Sequence, residues 1–273
     1  MRILIATGGA THSDKAVQLG AQIAGDADIA PTLLMVIKHE AEYSRAEAIL
    51  ARAVFHTARD TTDVRTRIRV GNPAKEIISE AGEGHYDLVI VGSRPTHKLL
   101  TRLLGTTIEW VVSHATCPVL IAKGNLRPLR RILLCVSGAS TPSQQTLFTA
   151  RLVSQLDELY AITVLHVMSQ ISAGPTASDE WQLYAGAAQL IQENEPEGKL
   201  LQQDIRLLEK SRVRVQPCIR HGSVVDEILA EAQDGSYDLI VIGAHQTRGW
   251  HRFLLDDLAH QIVVQADRPV LVV

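Results

Sequence analysis

The chain repeats itself, and no other feature constrains its fold as tightly. Arg2-Ile3-Leu4-Ile5 returns as Arg131-Ile132-Leu133-Leu134, and Gly9-Ala10 returns as Gly138-Ala139 in the same register. From Gly71 to Ala122 the match to Gly222 through Val273 runs without a gap, with Tyr86-Asp87-Leu88 over Tyr237-Asp238-Leu239 and Pro118-Val119-Leu120 over Pro269-Val270-Leu271. Self-similarity of this extent means two copies of one structural unit. A length of 273 residues also suits two domains of roughly 100 to 150 residues better than one. The copies are read as 1–123 and 131–273, joined by 124–130, which carries Gly124 and Pro128. The second copy holds extra sequence over 169–211, including the polar run Asn194 to Gly198.

Each copy alternates strand and helix signals. Ile3 to Ala6 is a short apolar run of the kind a strand shows when both faces of a parallel sheet are covered. A helix is expected from about Ser13, with its hydroxyl capping the first turn and Ala16, Leu19 and Ile23 on one face. Leu33 to Ile37 and Val164 to Met168 read as second strands, and Val64 to Val70 as a third. Asn72 and Pro73 then open a helix through Ala81 as cap and first-turn residue. Leu88 to Val91, a helix over Thr106 to Ala115, and Val119 to Ala122 complete the copy. The order predicts two tandem α/β domains, each a doubly wound, five-stranded parallel sheet flanked by helices. Ligands of such sheets sit beyond the carboxyl ends of the strands, so the loops after Ala6, Ile37 and Val91 are the places to search.

Composition narrows the function. A net charge of -3 exerts no general pull on nucleic acid or an anionic membrane, and 4% aromatics leave few stacking platforms for single strands. The run from Met1 lacks the features of a signal peptide, and no apolar stretch approaches the roughly 20 residues of a membrane span, so a cytoplasmic location is expected. Cys117, Cys135 and Cys218 are far apart and odd in number, and read as reduced thiols in or beside strands. The eleven histidines are scattered and suggest no metal site.

The chemistry concentrates after the fourth strand. Gly92 ends the strand, and Gly105-Thr106-Thr107 opens the next helix, with Arg94, His97, Lys98 and Arg102 between them. A helix N-terminus offers unpaired amides and about half a positive charge, and glycine lets phosphate oxygens approach the main chain. The same residues also suit a bland reading, in which Gly92 ends a strand, Gly105 shapes a turn and Thr106 caps a helix.

Over nearly its whole length the chain resembles the universal stress protein family in its tandem two-domain form. The family's nucleotide motif, Gly-x2-Gly-x9-Gly-(Ser/Thr), falls on Gly92, Pro95, Gly105 and Thr106, so three of four anchors match. Ile3-Leu4-Ile5-Ala6 with His12-Ser13-Asp14-Lys15-Ala16, and Ala115-Thr116-Cys117-Pro118-Val119-Leu120, resemble the family's opening and closing segments. The resemblance implies ATP or a related adenine nucleotide in the first copy, held by Gly8, Val36, Gly92, Arg94, Gly105, Thr106 and Thr107, with the Val36 backbone offered to adenine. Two departures touch the contacts: Pro95 removes one amide, and Gly8 stands where the family carries an acidic residue. The second copy keeps Gly243 but carries Gln246, Asp256 and Asp257 at the later anchors and Ser137 at the acidic position. Its aspartates complement the helix dipole themselves and repel phosphate, so no nucleotide is expected there.

The family's domains pair through the last strand of each sheet. Val119 to Ala122 and Val270 to Val273 would then pair within this chain as a pseudo-dimer, with a further homodimer open. The expected role is stress-linked sensing or regulation of an unidentified protein partner, without catalysis. The rival is a scaffold that acts without nucleotide. An enzyme reading rests only on Thr7 to Asp14, which is similar to the Ser-Gly-Gly-x-Asp-Ser loop of ATP pyrophosphatases but wrongly spaced at its end.

Overall fold

The computed structural model describes every residue except 26–28, 58–62, 94–104, 138–142, 157–158, 160, 169–184, 212 and 244–256. Strands and helices alternate as the repeat demands. The first copy runs β1 (Ile3–Ala6), α1 (Thr11–Ala24), β2 (Thr32–Ile37), α2 (Tyr43–Thr57), β3 (Arg65–Val70), α3 (Pro73–Glu83), β4 (Leu88–Gly92), α4 (Thr106–His114) and β5 (Val119–Ala122). The second runs β6 (Arg131–Cys135), α5 (Gln144–Val153), β7 (Ala161–Met168), α6 (Ala187–Gln192), α7 (Pro196–Leu208), β8 (Arg214–His221), α8 (Val224–Asp234), β9 (Leu239–Ile242), α9 (Asp257–Gln265) and β10 (Val270–Val272).

The chain forms two compact units, one built on Met1–Arg127 with Val263–Val272 and the other on Pro128–Ala244 with Leu258–Ile262 and Val273. In the first, β2 and β4 flank β1, β3 joins β2 and β5 joins β4, all in parallel. In the second, β6 lies between β7 and β9 and β8 joins β7, again in parallel. The first unit takes in β10 from the second copy because that strand pairs antiparallel with β5, with Val270 opposite Ile121 and Val272 opposite Val119.

Hydrophobic patterning explains the core. Ile3, Leu4, Ile5, Leu33, Leu34, Leu88, Ile90, Leu120 and Ile121 are fully buried, as strands covered on both faces must be. Helices α1 and α2 pack together, as do α3 and α4, and right-handed crossovers place these pairs on opposite faces of the sheet. Asn72 caps α3 as expected, its Oδ1 accepting the amides of Ala74 at 3.0 Å and Lys75 at 3.2 Å. Helix α1 starts earlier than expected, at Thr11. Ser13 therefore sits in its first turn rather than as cap, with its Oγ accepting from the Ala10 amide at 3.0 Å and donating to the Ala10 carbonyl at 2.7 Å. The repeated Tyr-Asp pair also finds its reason. Asp87 Oδ2 accepts the Arg2 amide at 2.8 Å, and Asp238 Oδ2 accepts those of Arg130 and Arg131 at 3.0 and 2.9 Å.

All three cysteines are free thiols, in β6, in β8 and just before β5. Burial pushes the Cys117 and Cys218 thiols up to about 11, and that of buried Cys135 higher still. Thiolate is the reactive form, so a thiol reagent at pH 8 is expected to label the folded chain slowly and all three positions at once in denaturant. A thiol whose pKa is raised on folding supplies stability below its unfolded value that fades as pH rises through its folded value. The melting temperature should accordingly fall between about pH 9 and 11.

Candidate functional site

Chain connectivity brings the ends of β1 and β4 together at the point where strand order reverses, which is where ligands of such sheets bind. Gly92, the last residue of β4, pairs with Ala122 of β5. A β-carbon on Gly92 would lie 2.0 Å from the His12 carbonyl oxygen and 2.8 Å from Ser13 Cα. Packing of the start of α1 on the end of β4 thus demands this glycine, whether or not a ligand is present. Gly8 and Gly105 differ: among the described residues a β-carbon at either would meet nothing within 4 Å.

Helix α4 begins without a side-chain cap. Gly105 holds extended backbone there (φ -58°, ψ 139°), and its carbonyl accepts from Ile108 and Glu109 at 2.9 and 3.2 Å. The Thr106 and Thr107 amides precede the first intrahelical bond and have no partner within the helix. Thr106, Thr107 and Trp110 line a hollow of about 240 Å³ with Asn72, Ala74 and Lys75 from the start of α3. The starts of α3 and α4 therefore converge on it; Asn72 already takes the Ala74 and Lys75 amides, so it is the end of α4, without a side-chain cap, that favours an anion. Lys75 adds a cation on the same wall. Glu76, in the first turn of α3, does not oppose it freely, because its carboxylate is engaged by Arg69 at 2.7 Å. Trp110 forms an aromatic wall, 43% exposed, with its ring stacked on His114 at 4.0 Å between centroids.

Of the residues expected in the site, Thr106 and Thr107 line this hollow and Gly105 adjoins it. Gly8 lies two residues beyond β1, and half-buried Val36 lies in β2 opposite Arg69. Neither they nor Gly92 belong to the hollow's lining. Arg94, with Pro95, His97, Lys98 and Arg102, lies outside the described residues, as do Gln246 and Asp256 in the second copy. Among the described residues no cluster of His, Cys, Asp and Glu could hold a metal ion, and no helix is long and apolar enough to cross a membrane.

The second copy closes the equivalent of the Gly92 position differently. A β-carbon on Gly243 would lie 2.8 Å from Gln145 Nε2, a side chain only 9% exposed whose amide donates to the Cys135 carbonyl at 3.4 Å. The repeat register places Ala16 at Gln145's position in the first copy.

Sequence reasoning did not single out Asn72, Lys75 and Trp110 as a shared wall, because α3 and α4 meet only in three dimensions. It also passed over a device built twice. Arg69 donates to Glu76 (2.7 Å), Glu80 (2.9 Å) and Glu83 (2.9 and 3.2 Å). Arg220 repeats this with Glu227 (3.4 Å), Glu231 (2.7 Å) and Asp234 (2.7 Å). The signal was available: an arginine near the strand end, followed by acids spaced to share one helix face.

The family model described as Universal stress protein family matches residues 1–123 and again 128–273. Universal stress protein G of Salmonella typhimurium is 37% identical over 79 residues, which cover 29% of this chain and 54% of that protein. The chain thus spans about half the length of the first curated relatives it matches. Universal stress protein MJ0531 of Methanocaldococcus jannaschii is 27% identical over 145 residues, 53% of this chain and 81% of that one. Among solved structures, a universal stress protein from Archaeoglobus fulgidus superposes with a TM-score of 0.70 at 18% identity, covering 99% of this chain and 97% of that one.

Proposed function

Because the chain belongs to the universal stress protein family and carries its domain twice, we propose that it is a nucleotide-responsive regulator whose one ligand site lies in the first domain. The observation that carries this reading is the hollow between the starts of α3 and α4, with the Thr106 and Thr107 amides at its rim. Phosphates of an adenine nucleotide would meet those amides and Lys75, and Trp110 would wall the site. The second domain takes no nucleotide: Gln145 sits against Gly243, and Asp257 begins α9. Binding, not hydrolysis, is the function assigned, since catalysis would need a positioned base near the phosphates. Filling the site would shift the protein between states of different partner affinity.

Calorimetric titration of ATP, AMP and cyclic AMP into the purified chain tests this. One site is expected, with a parallel change in Trp110 fluorescence once Trp181 and Trp250 are replaced by phenylalanine. Gly105→Asp should weaken it by about tenfold or more, a loss of roughly 1.4 kcal/mol. An aspartate cap favours the helix itself, so that variant should melt no earlier than the parent. Absence of both heat and a melting shift at millimolar nucleotide would refute the sensor and favour a scaffold that acts without ligand.

A further inference from the structure

Strand β3 is the outer strand of the first unit's sheet, and its free edge differs from that of its counterpart β8. The Arg65 amide donates to Pro31 and the Gly71 amide to Ile37, so the odd-numbered residues bond inward toward β2. By the two-residue period, Thr66, Ile68 and Val70 present their main-chain groups outward. Beside them lies a groove of about 440 Å³, walled by Tyr43, Glu47, Leu50 and Ala51 of α2 and Thr66, Arg67 and Ile68 of β3.

The second copy shows the same place closed. In the register that sets Arg69 on Arg220 and Leu50 on Leu201, Thr66 falls on Pro217, which has no amide to offer. Glu47 falls on Gly198, and α6 packs there against α7 and β8. A β-carbon on Gly198 would lie 2.2 Å from the Leu190 carbonyl oxygen, and Leu190 is wholly buried. Proline and a covering helix are both ways of blocking an edge strand. The first copy has no proline in β3, and among the described residues no helix covers its edge.

Charge adds a preference. Three arginines alternate along β3, and Arg69 is held by Glu76, Glu80 and Glu83. Arg65 and Arg67 are exposed and form no ion pair among the described residues. Their counterparts in β8 are the uncharged Gln216 and Cys218.

We propose that the β3 edge of the first domain docks an extended, acidic segment of a partner protein, which adds a strand to the sheet. Main-chain groups of the segment pair with Thr66, Ile68 and Val70, its acidic side chains face Arg65 and Arg67, and its intervening apolar side chains enter the groove beside Leu50 and Ile68. Main-chain pairing supplies affinity in such complexes, and alternate side chains supply selectivity. The proposal does not rest on the nucleotide site, so docking measured without nucleotide persists in Gly105→Asp.

The test uses the full chain and a fluorescein-labelled octapeptide alternating glutamate with valine or leucine. Saturable binding is expected, with slowed amide exchange at Thr66, Ile68 and Val70. Thr66→Pro should weaken it by about tenfold, as loss of a main-chain bond implies. Combined Arg65→Glu and Arg67→Glu should reverse the preference toward a lysine-for-glutamate peptide, which keeps the test open should Thr66→Pro fail to fold. The idea falls if the acidic peptide does not bind at millimolar concentration, or if the lysine peptide binds the parent equally well. Tighter binding of a helical peptide copying residues 185–195, or self-association of the chain through this edge without peptide binding, overturns it equally.

Discussion

Gly92→Ala is expected to destabilise the first domain by about 3 kcal/mol, the upper end of what forcing extra volume into a packed site costs. The added methyl would stand 2.0 Å from the His12 carbonyl oxygen and 2.7 Å from its carbon. Those are backbone atoms, so no side chain can swing aside and the start of α1 must lift from β4. For a domain of this size the melting temperature should fall by about 10 °C. Gly8→Ala and Gly105→Ala make the contrast, because open space surrounds both positions and neither has a positive φ. Each should stay within about 1 kcal/mol of the parent, Gly105→Ala paying only the preference of a helix cap for glycine over alanine. Thermal melts of the three variants separate two roles that glycines play at this end of the sheet. A parent-like melt for Gly92→Ala with weakened nucleotide binding would show that Gly92 serves a ligand rather than packing.

Arg69→Met should have a comparable effect for an electrostatic reason. Glu80 is 7% exposed and shares the Arg69 guanidinium with Glu76 and Glu83. Removing the arginine leaves buried negative charge without its counter-ion, which costs about 3 to 5 kcal/mol in enclosed pairs. Arg69 is itself partly open to water, so the lower figure is expected. The matching change Arg220→Met should act likewise on the second domain, since Glu231 occupies the equivalent place and also accepts from Tyr237 at 2.8 Å. Acid should narrow the gap. The hydrogen bonds from Arg69 hold Glu83 below the usual carboxylate range. A depressed acid contributes stability above its unfolded pKa that is lost as pH falls through its folded value. The part of the difference that Glu83 carries should therefore shrink as pH falls below the ordinary carboxylate range, and urea melts at pH 7 and about pH 3 would measure it. An undiminished difference in acid would mean that Arg69 stabilises by packing its stem and not by charge.

Much of this architecture was legible before any coordinates. Apolar runs such as Ile3 to Ala6 and Leu88 to Val91 read as strands covered on both faces, and the capping of α3 by Asn72 follows from local chemistry. Ser13 shows the limit at short range. A serine is at home both at the cap and within the first turn, and only the hydrogen bonds to Ala10 decide between them.

The candidate site was legible in part. Gly105 and Thr106 announced a helix start, since glycine and threonine there serve the backbone of the next few residues. Lys75 and Trp110, by contrast, join Thr106 only because α3 packs on α4 across the same face of the sheet. The function of Gly92 was ambiguous in the same way: a small residue at a strand end permits a close approach without naming what approaches.

What the amino-acid order determined alone is whatever depends on neighbours along the chain: the duplication, the alternation of strands and helices, the caps and the buried runs. What tertiary structure decided is whatever depends on distance through space. It placed the His12 backbone against Gly92, set Gln145 beside Gly243, and packed α6 against β8 where, among the described residues, no helix covers the β3 edge. Periodicity and capping are set by bonds within a few residues, whereas contacts between elements far apart in the chain exist only once the sheet has brought them together.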